Sequence, residues 1–421
     1  MKKIIALIYI VLFFNTITFS QSGWMIQRFN GYFFSINFSD NNTGYLLDDG
    51  FILYKTTNCG NNWFHVITNF YPQAYDVISI FFSDNNSGYV SGDNGTIFRT
   101  TDGGYNWLMN SIPGIHDVYL YNIKFLNLQT GFAAGYNYIL KTTNSGNNWQ
   151  IYQASIVDNL KSISIVDINT IFVAGDNACF KTINAGVNWN NYYFPDGVNV
   201  NGIHFLNTNT GYGVGNDCIV KTTNGGENWF RQYAESSYLL YSNQFINLNT
   251  GFANGANGVL LKTTNGGNNW IKQSINVNED LLSIYFTNNT TGFIAGCNYN
   301  GNGIVLKTTD GGNVFVHNES INNPDEYKLN QNYPNPFNPS TKIKFSIPPF
   351  EGGQGGMIVL KVYDILGKEI ATLVNEKLQP GEYEVPFSIN QFSGYQLPSG
   401  IYFYTLHAGD YKETKKMLYI K

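Results

Sequence analysis

Few side chains in this chain have the type and spacing that covalent chemistry needs. Its arginines are Arg28, Arg99 and Arg231. Arginines in a cluster can grip a sugar carboxylate with their planar forks, but Arg99 fills a repeat slot held elsewhere by lysine, so no triad is left over. His65, His116, His204, His317 and His407 are scattered, without metal-ligand spacing and without an evident Ser or Cys partner. Cys59, Cys179, Cys218 and Cys297 form no Cys-x-x-Cys pair and read as small buried residues. No glycine-rich phosphate loop stands between a strand and a helix. The expectation is no metal, no cofactor and no catalytic residue.

Two carboxylates across a cleft could still hydrolyse a glycoside. The candidates are Asp48, Asp49, Asp93, Asp176, Asp217, Glu279 and Asp280, and most lie beside Asn or Gly in turn-like segments. Solvated turn residues are the plainer reading; a secreted glycoside hydrolase is the alternative. Aromatic side chains offer more. Tyr71, Tyr75, His116, Tyr119, Tyr121, Tyr136, Tyr138, Phe194, Tyr238, Tyr241 and Tyr299 fall in connections assigned to one face. Tyrosine is a rigid contact with a polar tip, enriched at interfaces. We therefore expect a non-enzymatic binder of a protein or glycan, with Tyr75, His116, Tyr119, Tyr136, Tyr238 and Tyr241 as its site.

A repeat must position these residues. Lys-Thr-Thr or a near variant begins at Lys55, Arg99, Lys141, Lys181, Lys221, Lys262 and Lys307. Eight residues on stands an aromatic: Trp63, Trp107, Trp149, Trp189, Trp229, Trp270 and Phe315. The steps between these aromatics are 44, 42, 40, 40, 41 and 45 residues. Each copy opens with an alternating run such as Ser35-Ile36-Asn37-Phe38, which reads as a strand. An Asn/Asp/Thr/Gly turn and a Gly-aromatic-small-small-Gly strand follow, then the Lys-Thr-Thr strand and a fourth strand at the tryptophan. Four strands per roughly 40 residues is a propeller blade, so the fold class is all-β, a seven-bladed β-propeller. Six boxes end in Trp, and the seventh Trp of the chain is Trp24. The run 24–29 reads as a spare fourth strand that completes the last blade and closes the ring, since an open ring leaves two unpaired edges.

The box itself, Thr222-Thr223-Asn224-Gly225-Gly226-Glu227-Asn228-Trp229 and its equivalents, resembles the Asp-box of bacterial-neuraminidase-type repeats. It is similar to the repeats of secreted propellers like the photosystem II stability and assembly factor. The acid is kept at Asp102 and Asp310 alone, the other copies having Asn. A turn that recurs in every blade reads as structural. Sialidases share this resemblance but need the arginine triad that is missing here.

From residue 322 the texture changes. A Pro-rich stretch, Asn332-Tyr333-Pro334-Asn335-Pro336-Phe337-Asn338-Pro339, reads as a semi-rigid spacer. Strands are expected at 341–347, 357–363, 370–374, 383–387, 400–406 and 415–420, a small immunoglobulin-like β-sandwich, with 351–356 as a flexible hairpin loop. This tail resembles the type A C-terminal sorting domain of the type IX secretion system. The resemblance rests on 333–341, Val362-Tyr363-Asp364-Ile365-Leu366-Gly367, Leu397-Pro398-Ser399-Gly400-Ile401-Tyr402-Phe403-Tyr404 and Lys415-Lys416-Met417. It implies that Pro334, Asn335, Pro336, Phe337, Asn338, Pro339, Gly367, Gly400, Lys415 and Lys416 carry the sorting signal. It also implies a type IX translocon as partner and delivery to the surface or medium of a Gram-negative bacterium through the periplasm.

The start of the chain fits that route. Lys2 and Lys3 precede an apolar run at 4–14 and a small-x-small site at Thr18-Phe19-Ser20, the pattern of a cleaved signal. That leaves no transmembrane segment after its removal. The expected division is a signal at 1–20, the propeller at 21–321, a Pro-rich linker and start of the tail domain at 322–340, and the sorting sandwich at 341–421. Between signal and tail stand twelve Lys plus Arg against nineteen Asp plus Glu. Seven of those cations are fixed in the repeat, so no basic stripe exists for nucleic acid.

Overall fold

The computed structural model describes residues 17–19, 23–48, 52–68, 76–155, 158–195, 198–233, 238–273, 275–298, 300–312, 316–318, 324–349, 356–378, 380–388 and 398–420. The signal expected at 1–20 lies outside these but for Ile17–Phe19, a short strand paired with Met25, Ile26 and Gln27. Tyr71, Tyr75, Asp49, Tyr299 and Phe315 also lie outside them.

Seven antiparallel sheets form the blades. Their first strands are Phe33–Phe38, Val77–Phe82, Leu120–Phe125, Leu160–Ile165, Val200–Phe205, Leu240–Phe245 and Asp280–Phe286. Each of these packs on the next, and Asp280–Phe286 returns to Phe33–Phe38, so together they form the inner wall of a closed ring. Alternation decides their facing. Ile36 and Phe38 pack in the apolar core between blades, while Ser35 and Asn37, on the other face and also buried, reach the next inner strand.

Those axial side chains stitch the ring. Ser35 Oγ accepts from Ile80 N at 3.3 Å, Ser79 Oγ from Ile123 N at 3.4 Å, Asn122 Oδ1 from Ile163 N at 3.1 Å and Ser162 Oγ from Ile203 N at 3.0 Å. Blade five has Gly202 at this position, and Asn201 Nδ2 donates instead to Leu240 O at 2.9 Å. Gln244 Oε1 accepts from Phe286 N at 2.9 Å, and Ser283 Oγ from Ile36 N at 3.3 Å completes the circle.

A second circle runs through the boxes. Thr222 Oγ1 donates to Asn224 Oδ1 at 3.0 Å and accepts from Gly226 N at 3.0 Å, and Asn224 Oδ1 also accepts from Asn228 N at 3.0 Å. In the acidic copy Thr100 Oγ1 donates to Asp102 Oδ1 at 2.8 Å. Asparagine thus does the turn's work as well as aspartate. The slot lysines then reach the next box: Lys55 Nζ to Gly103 O at 3.4 Å, Lys221 Nζ to Gly266 O at 2.7 Å, Lys262 Nζ to Gly311 O at 2.9 Å, and Lys307 Nζ round to Asn61 Oδ1 at 2.6 Å. Arg99 occupies its slot in the same way, donating to Asn147 Oδ1 at 2.5 Å.

The ring closes as the seven tryptophans imply. Met25–Asn30 pairs with Asn302–Thr308 over six residues, from Met25 opposite Lys307 to Asn30 opposite Asn302. Trp24 stands 6.1 Å from Phe286 at 83°, the arrangement of Trp107 on Phe82 at 6.1 Å and 83°. Gly312, with φ +59°, lets the indole in, because a Cβ there would lie 2.8 Å from Trp24 Nε1. The fourth-strand position of the seventh repeat itself, Val316–Asn318, is not in the blade. It pairs with Gly381–Ser388 of the tail, since its place is already filled.

The tail is two four-stranded sheets face to face. One holds Val316–Asn318, Gly381–Ser388, Ser340–Ile347 and Lys328–Leu329; the other holds Glu369–Leu378, Gly356–Tyr363, Gly400–Ala408 and Tyr411–Tyr419. Two expectations change here. The Pro-rich stretch is not a spacer: Phe337 is buried in the sandwich core beside Phe387 and Tyr419, and Asn332 Nδ2 bonds Pro334 O and Thr341 Oγ1. The connection around 351–356 is no hairpin, because the strands before and after it belong to opposite sheets.

Removing Trp24 should open blade seven before the others. Trp24→Ala should cost about 3–5 kcal/mol, as for other buried Trp truncations. Hydrogen exchange should quicken along Asn302–Thr308 and least in blades three and four, since repeats are held mainly by neighbours; uniform quickening would contradict the latch.

Lys262 gives a pH test. Burial draws its ammonium down to about 8, and the nearby Asp310 carboxylate only partly opposes this. Between pH 8 and the ordinary 10.5 the unfolded chain binds the more protons, so this residue adds stability as pH rises across that window. Melting curves of wild type and Lys262→Met should converge or cross in that direction; a difference independent of pH would refute the assignment.

Candidate functional site

The two ends of the ring differ. One carries the boxes, whose polar groups are spent on their own turns and on the next blade. The other is the mouth where the inner strands begin, and there each strand has a register shift, as between Leu120 and Asn122 or Leu160 and Ser162. The extra residue is a bulge that re-aims a side chain. It brings Tyr121, Lys161, Asn201 and Tyr241 to equivalent positions of blades three to six.

These four begin an arc. Tyr119 and Tyr121 stack with centroids 6.0 Å apart. Burial raises the Tyr121 phenol's pKa, and the Asp176 charge adds to it. Lys161 forms an ion pair with Asp176 and donates to Asn201 Oδ1 at 3.0 Å. Asp176 also accepts from Asn159 Nδ2 at 2.6 Å. Asn201 passes to blade six through Leu240 O. Tyr241 OH reaches Asp280 Oδ2 at 3.4 Å, and Asp280 Oδ1 accepts from Asn257 N at 2.9 Å.

The expected site residues are partly assembled. Tyr119 and Tyr136 are 42% and 44% exposed and adjoin through Tyr136 N to Tyr119 O at 3.1 Å. His116 is exposed three residues before Tyr119. Tyr238 lies under Lys272, whose Nζ is 5.2 Å from its ring. Tyr241 belongs to the arc, and Tyr75 falls outside the described residues. Other rim aromatics face inward: Phe194 packs on Trp229 at 5.1 Å, and Tyr138 packs on the core of blade three. Lys161, Asn201 and the bulge position of Tyr121 join the arc beyond the residues expected from the sequence. Lys161 stands out in the sequence as one of the few cations outside the repeat slot, but its meeting with Asn201 depends on the bulge.

The carboxylates considered for hydrolysis have other duties. Asp176 pairs with Lys161 and Glu279 with Arg28. Asp280 caps a turn, and Asp48 is buried. Asp93 is raised by burial, with hydrogen bonding opposing it and the Asp76 charge adding to the rise. Among the described residues no group of three or more His, Cys, Asp or Glu could hold a metal ion, and no helix is long and apolar enough to cross a membrane.

Deeper along the axis a second tier carries Lys124 and His204. Lys124 Nζ donates to Ile163 O at 2.6 Å, and burial draws it down to about 8. His204 stacks on Phe245 at 6.4 Å; burial first, then the Lys124 charge, lowers it to about 4. The rim at this end is polar, and of the two buried groups behind it Lys124 alone carries charge at neutral pH.

Known proteins were compared with this chain. The family described as photosynthesis system II assembly factor YCF48 matches residues 71–196, 184–278 and 231–318, together more than half of the chain. The family described as secretion system C-terminal sorting domain matches residues 331–421. No curated protein matches significantly. Among solved structures, YCF48 bound to D1 peptide is 19% identical, covers 69% of this chain and 99% of its own, and has a TM-score of 0.58. YCF48 from Cyanidioschyzon merolae is 18% identical over 66% of this chain and 95% of its own, at 0.54. The WD40 propeller of Doa1 is 9% identical over 66% and 93%, at 0.55. These structural likenesses speak to the fold.

The axial pair can be tested directly. Lys124→Met should raise the His204 pKa from about 4, yet leave it below the ordinary 6.5 because burial remains. An NMR titration of the imidazole reads this; an unchanged value would mean the two do not face each other.

Proposed function

The chain belongs to the family of the photosynthesis system II assembly factor YCF48, and from that premise we propose that it is a non-enzymatic binder that holds an extended segment of a protein partner at the channel mouth. Its tail is a type IX sorting domain, so it is an exported propeller. The stacked pair of exposed Tyr119 and half-buried Tyr121, beside the Lys161–Asp176–Asn201 network, carries the reading. Flat aromatic faces bury apolar side chains of a segment laid across them. The polar arc beside them offers donors and acceptors for its backbone. A similar solved structure, YCF48 bound to D1 peptide, supports a protein partner over a glycan. The hydrolase reading has less behind it, because Asp176 and Glu279 are held in ion pairs and Asp280 caps a turn.

Delivery follows from the tail. The route we propose runs through the periplasm after removal of residues 1–20, and then across the outer membrane by the type IX translocon to the surface or medium. The family name points to photosynthetic membranes; the sorting domain points outside the cell, and partner identity follows the sorting domain.

The test is binding of the purified full-length protein to overlapping peptides from surface proteins of a type IX-competent host. Tyr119→Ala and Lys161→Met should each weaken the selected peptide at least about tenfold, on the order of 1.4 kcal/mol, while Asn249→Ala at the box end leaves it unchanged. Loss through Asn249→Ala alone would mean that the wrong end was chosen. Recognition on a glycan array, abolished by the mouth variants, would replace the peptide with a sugar.

A further inference from the structure

The sorting domain contains an open groove at one end of its second sheet. It measures about 580 Å³, within the range of ligand pockets. Ile365, Leu366, Ile370, Gly400, Ile401 and Tyr402 line it. Its two walls are the Asp364–Gly367 turn and the segment around Gly400, so the Val-Tyr-Asp-x-x-Gly and Pro-Ser-Gly-Ile-Tyr patterns of the tail meet in space.

The signature residues divide into two groups. One group builds the domain. Phe337 fills its core, Asn335 Oδ1 accepts from Leu418 N at 2.9 Å, and Tyr404 OH binds Asn330 O at 2.8 Å. Lys415 Nζ pairs with Glu413 at 3.0 Å, and Lys416 O accepts from Gln331 Nε2 at 2.7 Å. The other group has no such task. Ile365 is 71% and Leu366 90% exposed. A Cβ on Gly400 would meet nothing within 4 Å, and its φ lies outside the left-handed region, so neither space nor backbone requires glycine there. What glycine does is leave the groove empty. Exposed Leu and Ile beside a side-chain-free floor mark an interaction site.

We propose that this groove is the docking site for an apolar segment of a secretion-system protein, which seats hydrophobic side chains over Gly400 between Leu366 and Ile401. This rests on the reading of the tail as a sorting domain. The rim argues for a protein over an anionic lipid surface. Asp364 is spent on Leu366 N and Lys368 N, both at 2.9 Å, and Glu369 on Lys361 Nζ at 2.8 Å. Lys368 is the one cation among the residues that line the groove, and a single lysine is not the polybasic cluster that draws lipid phosphates. Tyr402 OH donates to Pro398 O at 2.8 Å and holds one wall in place, so the groove exists before its partner arrives.

The experiment uses the full chain in a type IX-competent host. Leu366→Asp removes an apolar wall and Gly400→Leu fills the floor. Each should cut delivery to the surface or medium at least about tenfold and leave a folded protein in the periplasm with unchanged melting, whereas Leu366→Met should be delivered normally. Normal delivery of both disruptive variants, with the 333–421 deletion retained, would overturn the groove and leave the sorting reading standing. Normal delivery of the deletion would overturn both. A photo-crosslinker at Leu366 should capture a secretion-system component; capture of lipid alone would also overturn the proposal.

Discussion

Circular closure is the constraint on which this structure depends. Each blade is a small sheet that leaves apolar faces exposed, and burial is complete only when every blade has a neighbour on both sides. The axial hydrogen bonds satisfy this with a rule: one polar side chain of each inner strand reaches the backbone of the next. Where the rule fails at Gly202, Asn201 takes over one residue earlier. The slot cations repeat the rule at the other end through the boxes. Both circles cross the joint between the last blade and the first, by Ser283 to Ile36 and by Lys307 to Asn61.

Closure also explains the chain ends. A ring whose final joint is made only by sequence neighbours would part where the chain begins and stops. Here Met25–Asn30 supplies the outer strand of the blade built by the last repeat. Trp24 brings the indole that the seventh box lacks and sets it on Phe286 with the geometry of the other copies. Val316–Asn318 is thereby released to the tail's sheet.

Much of this was legible in the residues. Box spacing gave the blade number, and counting tryptophans against boxes pointed to residues 24–29 as the closing strand. Burial of Trp63, Trp107 and Trp229 followed from the repeat. What escaped was non-local. The displacement of Val316–Asn318 depends on a competitor almost 300 positions earlier. The Pro-rich stretch looked like a spacer because proline signals extension, yet extension is also what lets Phe337 reach the sandwich core. At the mouth, aromatic composition pointed to Tyr119, Tyr136 and Tyr241, which do lie at that end of the ring. It did not find Lys161 or Asn201, whose meeting comes from a bulge that no local pattern announces. In the tail the motifs were plain as sequence, but their convergence on one groove was not.

The direction of the strands carries a further consequence. Asn302–Thr308 runs from the channel mouth to the box end, and the chain leaves blade seven at Gly311 and Gly312, among the boxes. Met25 lies opposite Lys307, so the amino-terminal strand enters at that same end. The chain therefore enters and leaves the ring at one pole. The pole that carries Tyr119, Tyr121 and Lys161 is the one farthest from the point where the tail joins the ring. The topology that locks the ring thus also sets which pole the tail joins.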